Sequence, residues 1–220
     1  MFRAVVFDLW MTLVTPPKHA FDEFRHTWSA ALDVPAERLD EVWLDAEGYR
    51  RRETGPIREA IVDVGNRLDV EVDVEAILAV RLRFMRDALV PDAGVVETLT
   101  ELRRRGIPTA LVSNSTEDVA LVWPETPFAG LFDAAVFSAT AGFMKPDAEI
   151  YELALRQLEV SASETLFVGD GANNELEGAR AVGMTPVLVQ PDGDVPRRDG
   201  LEDWRGRRIS SIPEVLQLVA

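Results

Sequence analysis

Residues Arg3–Leu13 read RAVVFDLWMTL. Ala4, Val5, Val6 and Phe7 form an unbroken apolar run, short and rich in β-branched side chains. Such a run fits a strand buried on both faces of a parallel sheet. It stops at a carboxylate, Asp8. Open α/β sheets bind ligands beyond the carboxyl ends of their strands, so Asp8 stands where such a protein places chemistry. One aspartate after a strand is weak evidence by itself, because many only cap a loop. Thr12 and three later segments give it weight.

Beyond Asp8 the pattern changes. Pro16 and Pro17 break the chain, and residues 20–89 read as helical throughout. Phe21, Phe24, Trp28 and Leu32 recur at helical spacing, as do Leu39, Val42, Trp43 and Ala46. Ile57, Ala60, Ile61, Val64 and Leu68 make a third stripe. Val74, Ile77, Leu78, Met85 and Ala88 make a fourth, with Arg81 the polar exception. Four antiparallel helices burying these stripes on one another are expected, with the aromatics as core.

Alternation returns after Pro91. A helix is expected over 93–105, ended by Gly106, then strands at 109–113 and 134–137. Asp147 suits the start of a helix carrying Ile150, Leu153, Ala154 and Leu158. Strands follow at 165–168 and 185–189, with a helix over 175–182 between them. Residues 190–206 read as a polar loop and 207–209 as a last strand. Ser211 and Glu214 have the spacing of a capping box, with Pro213 in the first turn of a final helix. Strands alternating with helices predict a Rossmann-like, doubly wound parallel sheet. The expected domains are an α/β core of residues 1–15 and 91–220, and an inserted all-α four-helix cap of residues 16–90.

Charge and composition exclude other classes. The chain has 220 residues with a formal net charge of −15, which repels nucleic acid and anionic membranes. The arginine runs 50–52 and 103–105 therefore read first as solvated helix faces. With no cysteine there is neither a disulfide framework nor a thiolate metal site. The first apolar run is too short for a signal peptide and breaks at Asp8, and no stretch approaches a membrane span. A cytoplasmic protein is expected, as a monomer or homodimer.

Polar residues collect at or near four strand ends: Asp8 with Thr12, Ser113 with Asn114 in LVSNS, Lys145 in GFMKPD, and Asp170 with Glu175 in VGDGANNE. Each alone has an ordinary explanation: a cap, an exposed lysine, a turn. In this order on this fold, they resemble the haloacid dehalogenase superfamily along almost the whole chain. The resemblance implies that Asp8 attacks phosphorus to give an aspartyl-phosphate. It implies Mg²⁺ held by Asp8, the Trp10 backbone carbonyl and Asp170. Glu175 would bind that metal through water or orient Lys145. Ser113 and the Asn114 backbone amide would donate to phosphoryl oxygens, Thr12 would assist Asp8, and Lys145 would neutralise developing charge. Between the second and third helices of the insertion, residues 50–55 (RRRETG) lie where the family contacts substrate. One of Arg50, Arg51 and Arg52, with Arg51 named first, is the candidate there for the anionic end of the substrate, against a solvated charge run. The expected substrate is a small phosphorylated metabolite.

Position 10 departs from the phosphatase pattern, which places a second aspartate there as general acid and base. Trp10 only donates a hydrogen bond. Losing such a group costs roughly 10²–10⁴ in rate. Three readings follow: a phosphatase with a weak or substitute acid, a haloacid dehalogenase-like enzyme acting at carbon without metal, and a phosphate- or partner-binding domain. The family's dehalogenases also carry a non-acidic aromatic at this position, but lack the Gly–Asp pair kept at Gly169–Asp170. The first reading is therefore favoured.

Overall fold

A computed structural model describes residues 2–191, 201 and 204–219. The first strand, β1 (Ala4–Phe7), is fully buried, as its composition requires. It occupies the centre of a six-stranded, wholly parallel sheet with β2 (Thr109–Ser113), β3 (Ala134–Phe137), β4 (Thr165–Gly169), β5 (Thr185–Val189) and β6 (Arg207–Ile209). The order is β3-β2-β1-β4-β5-β6. The chain steps outward from β1 to β3, then returns to β1's other side. This reversal opens a crevice at the carboxyl ends of β1 and β4, the usual ligand position in such sheets.

The alternation of side chains across the sheet builds two cores. Val5, Phe7, Leu111 and Val168 face one layer, with Leu99 and Leu102 of α6 (Val95–Arg104). Ala4, Val6, Val112 and Phe167 face the other, with Ile150, Tyr151 and Ala154 of α9 (Ala148–Leu158) and Leu176 of α10 (Glu175–Ala181). Gly106 takes the left-handed conformation just past α6 (φ 69°), where a side chain would be strained. Two short helices, α7 (Glu117–Val122) and α8 (Ser138–Ala141), follow β2 and β3.

Residues between β1 and α6 form five helices, not the four expected: α1 (Lys18–Ala31), α2 (Ala36–Trp43), α3 (Ala46–Glu53), α4 (Ile57–Leu68) and α5 (Val74–Ala88). The stripe assigned to one helix through Ala46 is divided after Trp43. Asp45 is extended and its carboxylate accepts the Gly48 amide at 3.1 Å, which starts a new helix. Residues 50–53, expected in a loop, are the last turn of α3, where three arginines suit the negative end of the helix dipole. Trp28, Leu39, Ile57, Ile61, Val64 and Ile77 form a separate core for these helices.

Smaller differences have local causes. Asp147 precedes α9 as expected but makes no cap bond; its carboxylate pairs with Arg50 of α3 at 2.7 Å. Ser211 and Glu214 do form a capping box, on a 3₁₀ helix, Ile212–Gln217. The polar loop expected at 190–206 lies mostly outside the described residues. No helix among the described residues is long and apolar enough to cross a membrane.

Ile61 is wholly buried in the helical core. Ile61→Ala is expected to cost about 2–5 kcal/mol in unfolding free energy. Urea denaturation checks this; a cost under about 1 kcal/mol would mean that α1, α2, α4 and α5 do not share a tightly packed core.

Candidate active site

Three adjacent strands end in polar groups. β2 closes on Ser113, β1 delivers Asp8 in the next residue, and β4 delivers Asp170. The turn after β1 folds back on Leu9, whose carbonyl accepts the amides of Leu13 and Val14 at 2.9 and 3.1 Å. That turn brings the Thr12 hydroxyl to Asp8, donating to Oδ2 at 2.9 Å. Lys145 arrives from the segment between α8 and α9. Its ammonium donates to Asp8 Oδ1 and, at 2.6 Å, to Glu175 Oε2. Asp8, Lys145 and Glu175 are all buried.

The lysine is fixed from behind by a reciprocal pair. The Asn114 side-chain Nδ2 donates to the Lys145 carbonyl at 3.0 Å, and the Lys145 N–H donates to Asn114 Oδ1 at 2.8 Å. Glu175 is fixed too. Its Oε1 accepts the Gly171 N–H at 2.9 Å, and its backbone carbonyl accepts the Tyr151 hydroxyl at 2.8 Å. Burial disfavours the Lys145 ammonium, but the charges of Asp8 and Glu175 outweigh it and hold its pKa above the ordinary lysine value. Burial, with the Asp8 charge, pushes the Glu175 carboxyl upward against the pull of Lys145.

Oxygens of Asp8, Asp170 and Glu175 lie within 4.8 Å of one another. Three buried carboxylates and one ammonium leave an excess of negative charge. Hard oxygen donors with that excess suit a small divalent cation. Asp170 also accepts the Ala172 N–H at 3.0 Å, and Glu175 already has both oxygens engaged. Ser113 is fully buried beside the cluster, its hydroxyl turned to the Asn114 carbonyl at 3.4 Å.

A cavity of about 430 Å³ opens between the helical insertion and the core loops. Trp10, Asn114 and Ser115 line its floor, and Phe21, Phe24, Trp28, Trp43 and Phe84 its wall. Two arginines stack there on Trp43, Arg52 at 4.5 Å and Arg81 at 4.6 Å from the ring centroid. Arg81 forms a buried ion pair with Asp118 of α7 at 2.9 Å, which explains the polar exception in its stripe. Glu53, at the end of α3, also lines the cavity, and burial raises its carboxyl to about 7.

Of the three candidate arginines, Arg51, named first, is not the one that lines this cavity. It points to Asp63 of α4 at 3.5 Å and lines a different cavity. Its neighbour Arg52 enters the cavity beside Trp10. The helical period decides this: with 50–53 in α3, adjacent arginines project on different faces. Sequence reasoning missed Glu53 and Tyr49 altogether. Their signal is an i, i+4 relation on one face of α3.

Comparison with known proteins adds an independent measure. The family model for haloacid dehalogenase-like hydrolases matches residues 2–183. A sesquiterpene phosphatase of Aspergillus oryzae is 28% identical over 83% of this chain and 87% of its own. A ribulose-1,5-bisphosphate 5-phosphatase of Halopiger xanaduensis is 36% identical over 60% of this chain, which spans 57% of that protein's length. The L-2-haloacid dehalogenase of Xanthobacter autotrophicus superposes with a TM-score of 0.71, covering 99% of this chain and 98% of its own. At 18% identity, that likeness is one of fold.

Two measurements probe the geometry. A Cβ at position 169 would lie 2.2 Å from Glu175 Oε1 and 3.1 Å from the Phe167 ring. Gly169→Ala is therefore expected to lose about 1–3 kcal/mol in chemical denaturation; wild-type stability would show that Glu175 does not rest on the strand. The second concerns Glu53. Its folded pKa of about 7 exceeds the unfolded 4.5, so the folded state holds the extra proton between those values. Its contribution to stability therefore falls as pH rises through that window. Urea midpoints of Glu53→Gln should show a shallower fall there than wild type.

Proposed function

Because the chain belongs to the haloacid dehalogenase-like hydrolase family, we propose that it is a Mg²⁺-dependent phosphoric monoester hydrolase acting through Asp8. The observation that carries this reading is the buried cluster itself: Asp8, Asp170 and Glu175 around Lys145. Residues 16–90 act as a cap over a core of 1–15 and 91–220.

Asp8 is the nucleophile. Its carboxylate oxygen forms a bond to phosphorus while the bond from phosphorus to the ester oxygen breaks. Thr12 and Lys145 each hold one carboxylate oxygen and so set the angle of attack. The Lys145 charge offsets the negative charge gathering between Asp8 and the phosphoryl group. Ser113 and the Asn114 backbone N–H bind phosphoryl oxygens. Asp8, Asp170 and the Trp10 carbonyl would hold the metal, which would lower the repulsion between a carboxylate and a phosphate dianion. Glu175, with both oxygens engaged, positions Lys145. Water then attacks the aspartyl-phosphate, releasing phosphate and restoring Asp8.

The cavity narrows the substrate. Five aromatic rings on its wall favour a phosphate ester of an apolar alcohol. One relative matched over 83% of the chain is named a sesquiterpene phosphatase, in keeping with that wall, while another matched over 97% is named a glyceraldehyde 3-phosphate phosphatase. The dehalogenase reading rests on Trp10; it leaves the negative excess of the acid cluster without a purpose.

Release of phosphate from p-nitrophenyl phosphate with Mg²⁺ tests this. Chelator should abolish it, and Asp8→Asn should lower turnover by at least about 10³-fold. Halide release from a 2-haloacid without metal, and no phosphate release, would replace this reading with the dehalogenase one.

A further inference from the structure

We propose that Glu53 is the general acid and base of this hydrolase, supplied by the helical insertion in place of the carboxylate that position 10 lacks. The proposal rests on the phosphatase reading of the same site. Trp10 and Glu53 line one cavity, from opposite sides of the junction between core and insertion. Trp10 has no proton to lend at neutral pH. Glu53 is a carboxyl, only 8% exposed, and its Oε2 is buried with no hydrogen-bond partner. A buried carboxyl oxygen without a partner is costly, on the order of 1–3 kcal/mol or more. A substrate oxygen at the floor of the cavity would supply the missing partner.

The helix carrying Glu53 is docked against the catalytic segments. Arg50 pairs with Asp147, two residues past Lys145, at 2.7 Å. The Asn173 amide, from the loop after Asp170, donates to the Tyr49 hydroxyl at 3.2 Å. Glu53 lies one turn beyond Tyr49 on the same face of α3. These two ties, one to each side of the acid cluster, hold that face toward the core.

The charges around Glu53 suit a group that must carry and release a proton. Arg52 on its own helix approaches no closer than 4.0 Å. Arg81 from α5, Asp118 from α7 and Lys145 from the core act at longer range, and the Tyr49 hydroxyl lies nearby. Asp118 neutralises Arg81. Burial outweighs the remaining positive charge and leaves the carboxyl protonated up to about pH 7. A general acid is most effective when its pKa lies near the working pH.

The steps balance. As Asp8 bonds to phosphorus, the ester oxygen departs with its electron pair and takes the proton from Glu53, leaving as a neutral alcohol. Glu53 is then a carboxylate. It accepts a proton from the water that attacks the aspartyl-phosphate. The phosphorus–Asp8 bond breaks, phosphate leaves, and both carboxyl groups return to their starting states.

The test compares kcat/KM of wild type, Glu53→Gln and Glu53→Ala on two esters with Mg²⁺. One is 2-phenylethyl phosphate, whose alkoxide needs a proton to depart. The other is p-nitrophenyl phosphate, whose phenolate does not. Both variants should lose about a hundredfold or more on the alkyl ester and less than about tenfold on the aryl ester. The alkaline fall of the wild-type alkyl-ester profile should be absent in Glu53→Gln. Equal losses on both esters, or no loss on either, would overturn the assignment while leaving the hydrolase reading intact. Failure of wild type to release phosphate from either ester would overturn both. The aryl-ester rate shows directly that each variant is folded.

Discussion

The ammonium of Lys145, shared between the carboxylates of Asp8 and Glu175, is the interaction on which the site depends. All three groups are buried, where an unpaired charge is expensive and a paired one has little freedom to turn away. Each partner is held by a second contact that orients it: Thr12 on Asp8, Gly171 on Glu175, and Asn114 on the lysine backbone. The geometry is therefore set before any ligand arrives. Such preorganisation lets fixed charges stabilise a transition state without rearranging.

The parallel sheet makes this arrangement possible. Placing β1 between β2 and β4 puts the end of each strand within reach of the others. Gly169 contributes by having no side chain, since the Glu175 carboxylate occupies the space a Cβ would take. Tyr151, on a helix beneath the sheet's other face, reaches the Glu175 carbonyl and packs edge-on against Phe167. The acidic cluster and the second hydrophobic core are thus one continuous packing unit.

The helical insertion meets the core through paired charges set among aromatic rings. Arg81 reaches from α5 to Asp118 and Thr116, and also lies over Trp28 and Trp43. A guanidinium can satisfy both demands because it is planar and weakly hydrated compared with an ammonium. The cavity left beneath has an apolar wall and a polar floor.

The sequence by itself determined the sheet, the inserted helices and the approximate position of nearly every strand. Local rules sufficed there: a β-branched run such as 4–7 must be buried on both faces, and helical stripes such as 57–68 bury one. It also determined which polar residues stand at the strand ends, because a run of apolar residues ending at Asp8 or Asp170 is visible in one dimension. Where the insertion turns was less legible, since Asp45 divides α2 from α3 by one hydrogen bond that composition does not announce. Only the tertiary structure decided which arginine enters the cavity, that Glu175 grips Lys145, and that Glu53 and Trp10 line the same cavity. Those relations join residues far apart in the chain. They follow from how helices and strands pack, which local periodicity does not encode.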